Sequence, residues 1–376
     1  MIRTIKVKLN ISPDELKSTF EAYTDAFNYV CKIGWQDNDF NGVSLHHKTY
    51  QFTRSSLPSQ LSVSARMKAT EALKSVRKKQ EASCPQSRLC SVRYDARSYN
   101  VWFDRNVVSI LTVDGRRKLP INIPEYFKQY LDWRRASADL FLRRNGVFLH
   151  IVFEKAALEV PLTDKVVGID RGINNLAVTS NNQFFGGEQI KHVSLRYEKL
   201  RSQLQSCGSK SAKRHLRKVS KKENRFRADV NHTISKRIVQ SFEPGTMIVL
   251  EDLKSIRQNS RLRKEQRKQL HKWNFFQFQQ YLIYKAEAKG IRVEYVDSRY
   301  TSQKCSVCGY TSRSNRPSQS VFKCKHCSFS LNADLNASRN VRQNYLDAIS
   351  YPDRVSVNKP IAAASASCKP IGFSRG

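Results

Sequence analysis

The sequence predicts an α+β protein of several domains, in which a β-rich N-terminal half carrying helices precedes an α/β domain interrupted by a four-cysteine unit. A length of 376 residues is sufficient for two or three domains. Hydrophobic residues make up 40% of the chain, which is enough to form buried cores. Two Cys-x2-Cys pairs near the C-terminus mark the inserted unit.

The charge of the chain is strongly unbalanced, with 66 Lys and Arg residues against 32 Asp and Glu residues, a net charge of +34 and a pI near 10.0. Such an excess favours a polyanionic partner, and nucleic acid is the first choice over a membrane surface or simple solubility. There is no run of about 18 apolar residues, so we expect no membrane span. No apolar signal core follows Met1 and the nine cysteines are an odd number, so we expect a reducing, cytoplasmic location.

The first segments of the N-terminal half predict one strand and then helices. Residues 2–9 alternate imperfectly between apolar and polar side chains, as in a strand. Ser12 is a helix cap in the sequence Ser-Pro-Asp-Glu, where Glu15 closes a capping box. Apolar residues then recur at helical spacing over 16–30, and a second helical stretch runs from about 60 to 79.

Short β-type segments follow between residues 90 and 155. We therefore predict a β-rich module over 1–157 with a helical insertion at about 12–85. Residues 158–165 are typical of a linker into a different domain. We expect the first part of that domain to cover 158–300.

That domain begins with a short apolar strand, 166–170, which ends in the carboxylate of Asp170. A turn and a returning strand come next, and a third strand is expected over 183–190. Residues 191–240 carry 15 Lys and Arg against 3 Asp and Glu. They predict two basic helices within 191–242, hinged near Cys207-Gly208-Ser209.

Another apolar strand, 247–251, ends in Glu251, and a second basic run covers 254–272. An amphipathic helix is expected from about Phe275 and a fifth strand over 291–296.

The C-terminal part is expected to hold a zinc-binding domain over 301–330 and then the last part of the α/β domain over 331–350, with a helix at 332–345. From residue 351 to 376 the chain is rich in Ala, Ser and Pro without periodicity. This composition predicts a disordered tail.

Four cysteines have the spacing of a zinc site, with Cys305-x2-Cys308 followed after 15 residues by Cys324-x2-Cys327. Each pair is a tight turn that directs two thiolates to one tetrahedral ion. Four thiolates fill the coordination sphere, so we expect one structural Zn²⁺. His326 is a weaker alternative ligand, and unpaired structural cysteines are the alternative to a metal site.

Three acids are candidates for a catalytic metal site, because Asp170 and Glu251 end strands and Asp334 opens a helix. Reactive groups collect at the ends of central strands in an open sheet. Three carboxylates that meet there repel one another unless cations lie between them. Two Mg²⁺ ions about 3.5–4 Å apart would answer that repulsion and suit phosphodiester hydrolysis. Each acid taken singly is more commonly a surface or capping residue, and Asp334 could simply cap its helix.

The order β-β-β-α-β-α-β-α is that of a ribonuclease-H-like fold, and five motifs carry a resemblance to one family. They are Val-Gly-Ile-Asp-Arg-Gly at 167–172, Asn-His-Thr-Ile-Ser-Lys at 231–236, Val-Leu-Glu-Asp-Leu at 249–253, the segment 300–309 that holds the first cysteine pair, and Asn-Ala-Asp-Leu-Asn-Ala-Ser-Arg-Asn at 332–340. With these motifs the sequence resembles the TnpB family of insertion-sequence-encoded proteins, which are relatives of the type V CRISPR effectors. The resemblance covers roughly 166–345, and the N-terminal half matches in length and layout only.

The resemblance implies an Mg²⁺-dependent RuvC-type endodeoxyribonuclease. Its guide RNA would come from the transposon end, and it would cut double-stranded target DNA next to a short adjacent motif. By position, Asp170, Glu251 and Asp334 inherit the Mg²⁺-ligand roles, and the four cysteines inherit zinc. The N-terminal half would be a wedge-type β-barrel with a helical recognition insertion, followed by a ribonuclease-H-like RuvC domain that the four-cysteine zinc knuckle interrupts. The family often has Asp-Arg-Asp in the third motif, where this chain has Asn332-Ala333-Asp334.

Eight basic side chains within fifteen residues of the second basic helix are candidates for nucleic-acid contact. A guide–target heteroduplex is held through its backbone in a positive channel, while base pairing supplies sequence specificity. The alternative is a solvated charged helix face. The eight are Lys213, Arg214, Arg217, Lys218, Lys221, Lys222, Arg225 and Arg227.

Two other functions fit parts of the sequence. A nuclease-inactive RNA-guided repressor would be expected to lack one of the three acids, and all three are present. A DNA-strand transferase would need a nucleophilic Tyr beside a His pair, or an acidic triad used for joining, and a transposition accessory protein is a further alternative. His46 and His47 lie near Tyr50, but adjacent residues do not share a helix face. We expect a monomer.

Overall fold

The computed structural model describes residues 1–77, 83–161, 163–172, 174–253 and 275–350. The chain divides into two units, Met1–Ala156 and Ala157–Gly376. Three of the predicted segments lie outside the described residues: the end of the second helical stretch at Lys78 and Lys79, the basic run 254–272 and the tail 351–376. Within the described ranges, no helix is long and apolar enough to cross a membrane.

The first unit opens with the predicted strand, β1 (Ile2–Leu9), and a 3-10 turn at Pro13–Leu16. Three helices follow: α1 (Lys17–Gln36), α2 (Gly42–Ser56) and α3 (Ser59–Val76). The capping box is confirmed, since the Ser12 N–H donates to Glu15 Oε1 at 3.1 Å and the Ser12 hydroxyl accepts from the backbone of Asp14 at 3.4 Å. The apolar residues spaced along α1 are buried, as the periodicity predicts.

Helix α2 was not predicted from the sequence. Its buried positions are Leu45, Thr49 and Thr53, so only one of the three is apolar. The Thr49 hydroxyl donates to the carbonyl of Leu45 at 2.6 Å, and Thr53 shares a hydrogen bond with Ser62 of α3. A helix that packs through satisfied hydroxyl groups lacks the apolar period by which amphipathic helices are found.

The rings of the two adjacent histidines of α2 contact each other at their edges, although the two residues lie about 100° apart around the helix. Their rings lie 5.8 Å apart, edge to face, and the His46 ring is 4.6 Å from that of Tyr50. Imidazole rings reach far enough from the helix axis to touch at their edges. Burial, followed by the charges of Arg66 and His47, lowers the pKa of His46.

Six further strands complete the first unit, and with β1 they form two antiparallel sheets in the orders β1-β7-β6-β2 and β3-β4-β5. Strands β5 and β6 were missed because β5 is basic and buries one residue, Leu119, while β6 buries only Ala138 and Leu140. The strands are β2 (Val92–Tyr94), β3 (Tyr99–Trp102), β4 (Val107–Thr112), β5 (Gly115–Pro120), β6 (Arg134–Arg143) and β7 (Gly146–Glu154).

The edges of these two sheets meet on both sides of one core. A backbone bridge joins Leu9, at the end of β1, to Ile121, just after β5. On the other side a tight turn leads from β2 into β3, where the N–H groups of Ser98 and Tyr99 both donate to the carbonyl of Asp95. One hydrophobic cluster contains buried residues of both sheets and of all three helices.

The second unit is built on a five-stranded sheet in the order β10-β9-β8-β11-β12. Strands β8, β11 and β12 are parallel, and β9 and β10 are antiparallel to their neighbours. The central strands β8 and β11 are buried along almost their whole length, which explains their continuous apolar sequences. The strands are β8 (Val166–Asp170), β9 (Asn175–Thr179), β10 (Phe184–Gly186), β11 (Met247–Asp252) and β12 (Arg292–Asp297).

Four described helices belong to this unit: α4 (Glu188–Cys207), α5 (Lys210–Gln240), α6 (Phe275–Ala288) and α7 (Ala333–Ser350). The hinge between the two basic helices is confirmed, because Gly208 has a φ of +63° and the Ser209 hydroxyl accepts from the N–H of Ala212 at 3.1 Å. The predicted third strand is shorter than 183–190, since α4 already begins at Glu188 after two glycines. A small hairpin, β13 (Val321–Lys323) with β14 (Ser330–Asn332), immediately precedes α7.

Gly168, in the middle of β8, is where α7 comes closest to the sheet. A Cβ atom at this position would lie 2.2 Å from the carbonyl oxygen of Ser338 and 2.5 Å from the backbone nitrogen of Arg342. Both atoms are backbone atoms of α7, so no side-chain rotation can make room. The absence of a side chain at Gly168 therefore sets the distance between α7 and β8.

We expect Gly168→Ala to lower the free energy of unfolding of the second unit by about 3 kcal/mol, because α7 must move outward or strain. The measurement is urea denaturation followed by circular dichroism. Gly186→Ala is the matched control, since Gly186 is also in this sheet and a Cβ there meets nothing within 4 Å. Equal stability of the two variants would show that α7 has room to shift.

Candidate active site and metal centre

Asp170 and Glu251 come together because their strands are parallel neighbours. Ile169 pairs with Leu250 across β8 and β11, so the next residue on each strand is one of the two acids. The carboxyl ends of parallel strands meet at the same edge of a sheet. Both side chains therefore lie at the carboxyl ends of two neighbouring strands in the interior of the sheet.

Asp334 is brought to the same place by α7, of which it is the second residue. The three acids influence one another: burial raises the pKa of Asp170 well above its usual range, and the charges of Glu251 and Asp334 raise it further. The trio predicted from the sequence is thus close enough in space to interact electrostatically. Within the described residues, however, the three do not offer one oxygen each within 4.8 Å of the others, a spacing that the four cysteines do satisfy.

Two arginines oppose this concentration of negative charge. Arg171 is 5% exposed, and its guanidinium donates to the backbone carbonyl of Glu251 and to Gln279 Oε1, the latter at 2.9 Å. Arg316 lies 3.4 Å from Asp334 Oδ1. Both lower the pKa of Asp170, against the larger effects of burial and the neighbouring acids.

Each of the other two carboxylates accepts a hydrogen bond from a neutral side chain. The Thr301 hydroxyl donates to Glu251 Oε1, and Asn175 Nδ2 donates to Asp334 Oδ2 at 2.8 Å. Burial raises the pKa of Glu251, and the hydrogen bond from Thr301 lowers it in part. These contacts fix the direction of the Glu251 and Asp334 carboxylates. The three acids still offer several carboxylate oxygens, which is the ligand type that Mg²⁺ prefers.

The alternative that Asp334 merely caps α7 is wrong. Asn332 is the cap, since its Oδ1 accepts from the backbone N–H groups of Asp334 at 3.0 Å and Leu335 at 3.2 Å. Asn and Asp are about equally good in this position. Asn332, which replaces an Asp of the family pattern, can therefore still begin the helix. The Asp334 carboxylate is left to face the other acids.

Four residues of this site were not found by sequence reasoning: Arg171, Asn175, Thr301 and Arg316. Arg171 and Thr301 lie inside motifs that were recognised, and an arginine directly after a buried aspartate could have been assigned to balance its charge. Asn175 and Arg316 give no signal, because each reaches Asp334 through the tertiary fold from more than fifteen residues away in sequence.

The four cysteines predicted to bind zinc form one cluster, with all four sulfur atoms within 4.8 Å of one another. The Sγ atoms of Cys305 and Cys327 are 3.7 Å apart, and so are those of Cys308 and Cys324. Zn–S bonds of about 2.3 Å in a tetrahedron require sulfur atoms about 3.8 Å apart, whereas a disulfide requires about 2.05 Å. The cluster could therefore hold a zinc ion.

The backbone around the cluster favours thiolates. Burial by itself would raise the pKa of Cys324, but the N–H groups of Cys327 and His326 point at its sulfur and lower that pKa to about 6. These N–H groups lie 3.5 Å and 3.4 Å from the sulfur. The part of His326 that contacts the cluster is its backbone, and its ring stacks with Tyr310 at 5.5 Å. The imidazole is therefore not needed as a ligand.

The eight basic candidates all lie on α5, and seven of them are exposed. Arg227 is the exception, because its side chain is 15% exposed and pairs with the buried Glu223. Glu223 also accepts from Arg201 of α4 at 2.9 Å. Arg227 therefore joins the two basic helices, and the other seven are available to a polyanion.

Two family models match this chain. One described as a probable transposase covers residues 150–257, and one described as the Cas12f1-like TNB domain covers residues 275–341. A TnpB-like protein of Methanocaldococcus jannaschii is 25% identical over 67% of this chain and 96% of its own length. The chain is therefore similar to TnpB-like proteins and matches two family models in separate segments.

Proteins of the CRISPR systems are also similar to this chain. The CRISPR-associated endodeoxyribonuclease Cas12f1 of Sulfoacidibacillus thermotolerans is 33% identical over 55% of this chain and 52% of its own length. The chain thus spans about half the length of the curated Cas12f1 relatives that it matches. A cryo-EM structure of a Cas12f1–sgRNA–target DNA complex aligns with a TM-score of 0.61 and 14% identity, over 87% of this chain and 81% of that one. The chain therefore has a fold like that of Cas12f1.

We expect the purified protein to contain about one zinc per molecule, measured by mass spectrometry of the metal content. Cys305→Ser and Cys324→Ser should each lose most of the zinc, because three thiolates bind it more weakly than four. Cys207→Ser is the matched control, since Cys207 is exposed and outside the cluster. Zinc retained in full by both cluster variants would exclude the four-thiolate site.

Proposed function

We propose that this protein is an RNA-guided DNA endonuclease of a transposable element, which cuts target DNA next to a short adjacent motif. The observation that carries the proposal is the meeting of Asp170, Glu251 and Asp334 at the edge where the two central parallel strands end. Relatives named endodeoxyribonuclease, and a fold shared with a guide RNA–target DNA complex, support it.

In this proposal the second unit is a ribonuclease-H-like RuvC nuclease domain, interrupted by the four-cysteine knuckle. The first unit is a wedge-type β-barrel with a helical recognition insertion. Its support is the way in which the two antiparallel sheets approach each other at Leu9–Ile121 and at the turn Asp95–Tyr99. The protein acts as a monomer in the cytoplasm, where the DNA is.

The three acids are proposed to hold two Mg²⁺ ions, and the donor set fits them, since it offers carboxylate oxygens whose mutual repulsion raises the pKa of Asp170. When bound, two such ions activate a water molecule and stabilise the leaving 3′ oxygen of a phosphodiester. Arg171 and Arg316 offset part of the repulsion among the acids, while Thr301 and Asn175 orient Glu251 and Asp334. Cations so close to the acids also favour the approach of a phosphate.

The seven exposed cations of α5 are proposed to contact the phosphate backbone of bound nucleic acid. Such contacts supply affinity but no sequence information, which base pairing provides. The single zinc is structural in this proposal, because four thiolates leave no open position for chemistry.

We expect Asp170→Asn, Glu251→Gln and Asp334→Asn each to reduce guided cleavage by at least about 1,000-fold, because each removes a charged ligand from one shared site. Combined variants should be no worse than single ones, since parts of one catalytic unit fail together. EDTA should have the same effect. The assay is cleavage of a duplex that matches the guide, with binding measured on the same proteins.

Asp347→Asn is the matched control, because Asp347 is on the same helix as Asp334 and lies at the surface beside Lys304. It should cut normally. Retained target binding in the three variants distinguishes a catalytic from a folding role. Strong residual cleavage by Asp334→Asn would exclude that residue as a ligand, and equal loss of binding and cutting in all three would mean that these acids hold the fold.

We expect the protein to co-purify with a structured RNA whose sequence identifies the guide, because the net charge of +34 needs compensation. Lys218→Gln with Arg225→Gln should reduce the slope of log K against log salt for RNA by about 1 to 2. Arg227→Gln is the contrasting control, since it should lower stability through the buried Glu223 and leave the slope unchanged. Full guided activity of RNA-free protein would refute the proposal.

A further inference from the structure

Five of the exposed cations of α5 lie in one stripe along the helix, with the exposed His232 among them. At about 100° per residue, six positions lie within about 40° of one line, and they extend about 33 Å along the axis. The side chains along the line are exposed, with Asp229 at its edge. They are Arg214, Lys218, Lys221, Arg225, His232 and Lys236. A stripe of this length matches several consecutive phosphates of a nucleic-acid strand.

Aromatic rings lie at the C-terminal end of this stripe. The exposed ring of His232 stacks on Tyr281 of α6, with centroids 3.7 Å apart and an interplanar angle of 17°. The ring of Tyr284 is edge-on to both, at 6.4 Å and 6.0 Å. We call His232, Tyr281 and Tyr284 the aromatic platform.

The platform is not part of the core beneath it. Helix α6 packs on the sheet through Phe278, Leu282 and Ala286, which are fully buried. Tyr281 and Tyr284 are half-buried and turn towards α5 instead. An aromatic group that is partly exposed next to a row of cations is the arrangement by which proteins bind single strands, through stacking and phosphate contact together.

Buried polar contacts hold the platform in place. The ammonium group of Lys285 donates to the carbonyl of His232 at 2.6 Å and to the Ser235 hydroxyl at 2.7 Å. It also lies 5.7 Å and 5.6 Å from the ring centres of Tyr281 and Tyr284. Asn231, 1% exposed, donates to Gln277 at 3.0 Å. These contacts between α5 and α6 give the rings a fixed position, which reduces the entropy lost on stacking.

The platform is linked to the carboxylates by α6. Gln279, two residues before Tyr281, accepts a hydrogen bond from Arg171 at 2.9 Å. Arg171 directly follows Asp170 and donates to the carbonyl of Glu251. Helix α6 therefore carries both the platform tyrosines and a residue that contacts the neighbour of Asp170.

We propose that the aromatic platform stacks an unpaired base of a DNA single strand that runs along the basic stripe towards the carboxylates. The choice of DNA rests on the proposed function, in which DNA is the strand that is cut. A duplex does not fit this role, because its bases already stack on each other and offer no free face. The motif Asn-His-Thr-Ile-Ser-Lys at 231–236 then has a physical role: it supplies one ring, one cation and the polar contacts that fix them.

The test is a double-mutant cycle between one side chain and one base, measured as binding without metal on the full-length protein. The probe is a 12-nucleotide single-stranded DNA, labelled at one end, in which an abasic site is moved along the sequence. Wild type should lose about 10-fold in affinity when the abasic site reaches one position. In Tyr281→Leu the same change should have no effect, because the stacking partner is already absent.

Tyr281→Phe is the matched control, since it keeps the ring and should behave as wild type. Replacing the critical base by 2-aminopurine should give fluorescence quenching in wild type and Tyr281→Phe, and none in Tyr281→Leu. Equal losses at every position in all three proteins would overturn the platform. The wild-type protein must itself show a loss of affinity at one position of the abasic site. The proposal can therefore be tested even if Tyr281→Leu does not fold.

The same cycle with RNA of identical sequence tests the choice of DNA. A larger coupling for RNA than for DNA would overturn that choice. Failure of this inference and failure of the proposed function give different results. Coupling between Tyr281 and a base without any metal-dependent cleavage would refute the nuclease function. Cleavage without this coupling would refute the role of the platform.

Discussion

The close approach of α7 to β8 at Gly168 is the constraint on which the second unit depends. The backbone of α7 occupies the space that a Cβ at this position would need. This contact sets the position of the first turn of α7, which carries Asp334. Asp334 is thereby positioned relative to Asp170, which lies on β8 with Gly168. A residue with no side chain thus determines the spacing of the charged groups.

The burial of three acids in one place has a cost that the surrounding residues reduce. Burial and mutual repulsion raise the pKa of Asp170, which means that the charged form is disfavoured there. Arg171 and Arg316 reduce this cost with positive charge, and Thr301 does so with a hydrogen bond to Glu251. None of the three neutralises the group, and in the proposed function a divalent cation would complete the compensation.

Much of this arrangement could be predicted from the sequence because its signals are local. The strands that end at Asp170 and Glu251 are continuous apolar runs, the Ser12 capping box is four residues long, and the hinge at Gly208 is marked by a glycine followed by a capping serine. The cysteine cluster follows from spacing alone. Each of these features is fixed by residues within a few positions of one another.

What could not be predicted depends on tertiary contacts or on polar packing. Helix α2 buries threonines, and β5 is basic, so neither shows an apolar period. Asn175 and Arg316 reach Asp334 from distant segments. The ion pair of Arg227 with Glu223 likewise depends on α4, which is why one of the eight basic candidates proved to be a structural residue.

The positions of the acids along the chain have a consequence for protein synthesis. Asp170 and Glu251 leave the ribosome first, whereas Thr301, Arg316 and Asp334 belong to the last quarter of the chain. About 160 residues separate the first acid from the last, which takes roughly 10 to 30 s at ordinary rates of translation. During that interval the nascent chain holds an incomplete acidic group. The order of the sequence therefore delays assembly of the site until Asp334 has been synthesised.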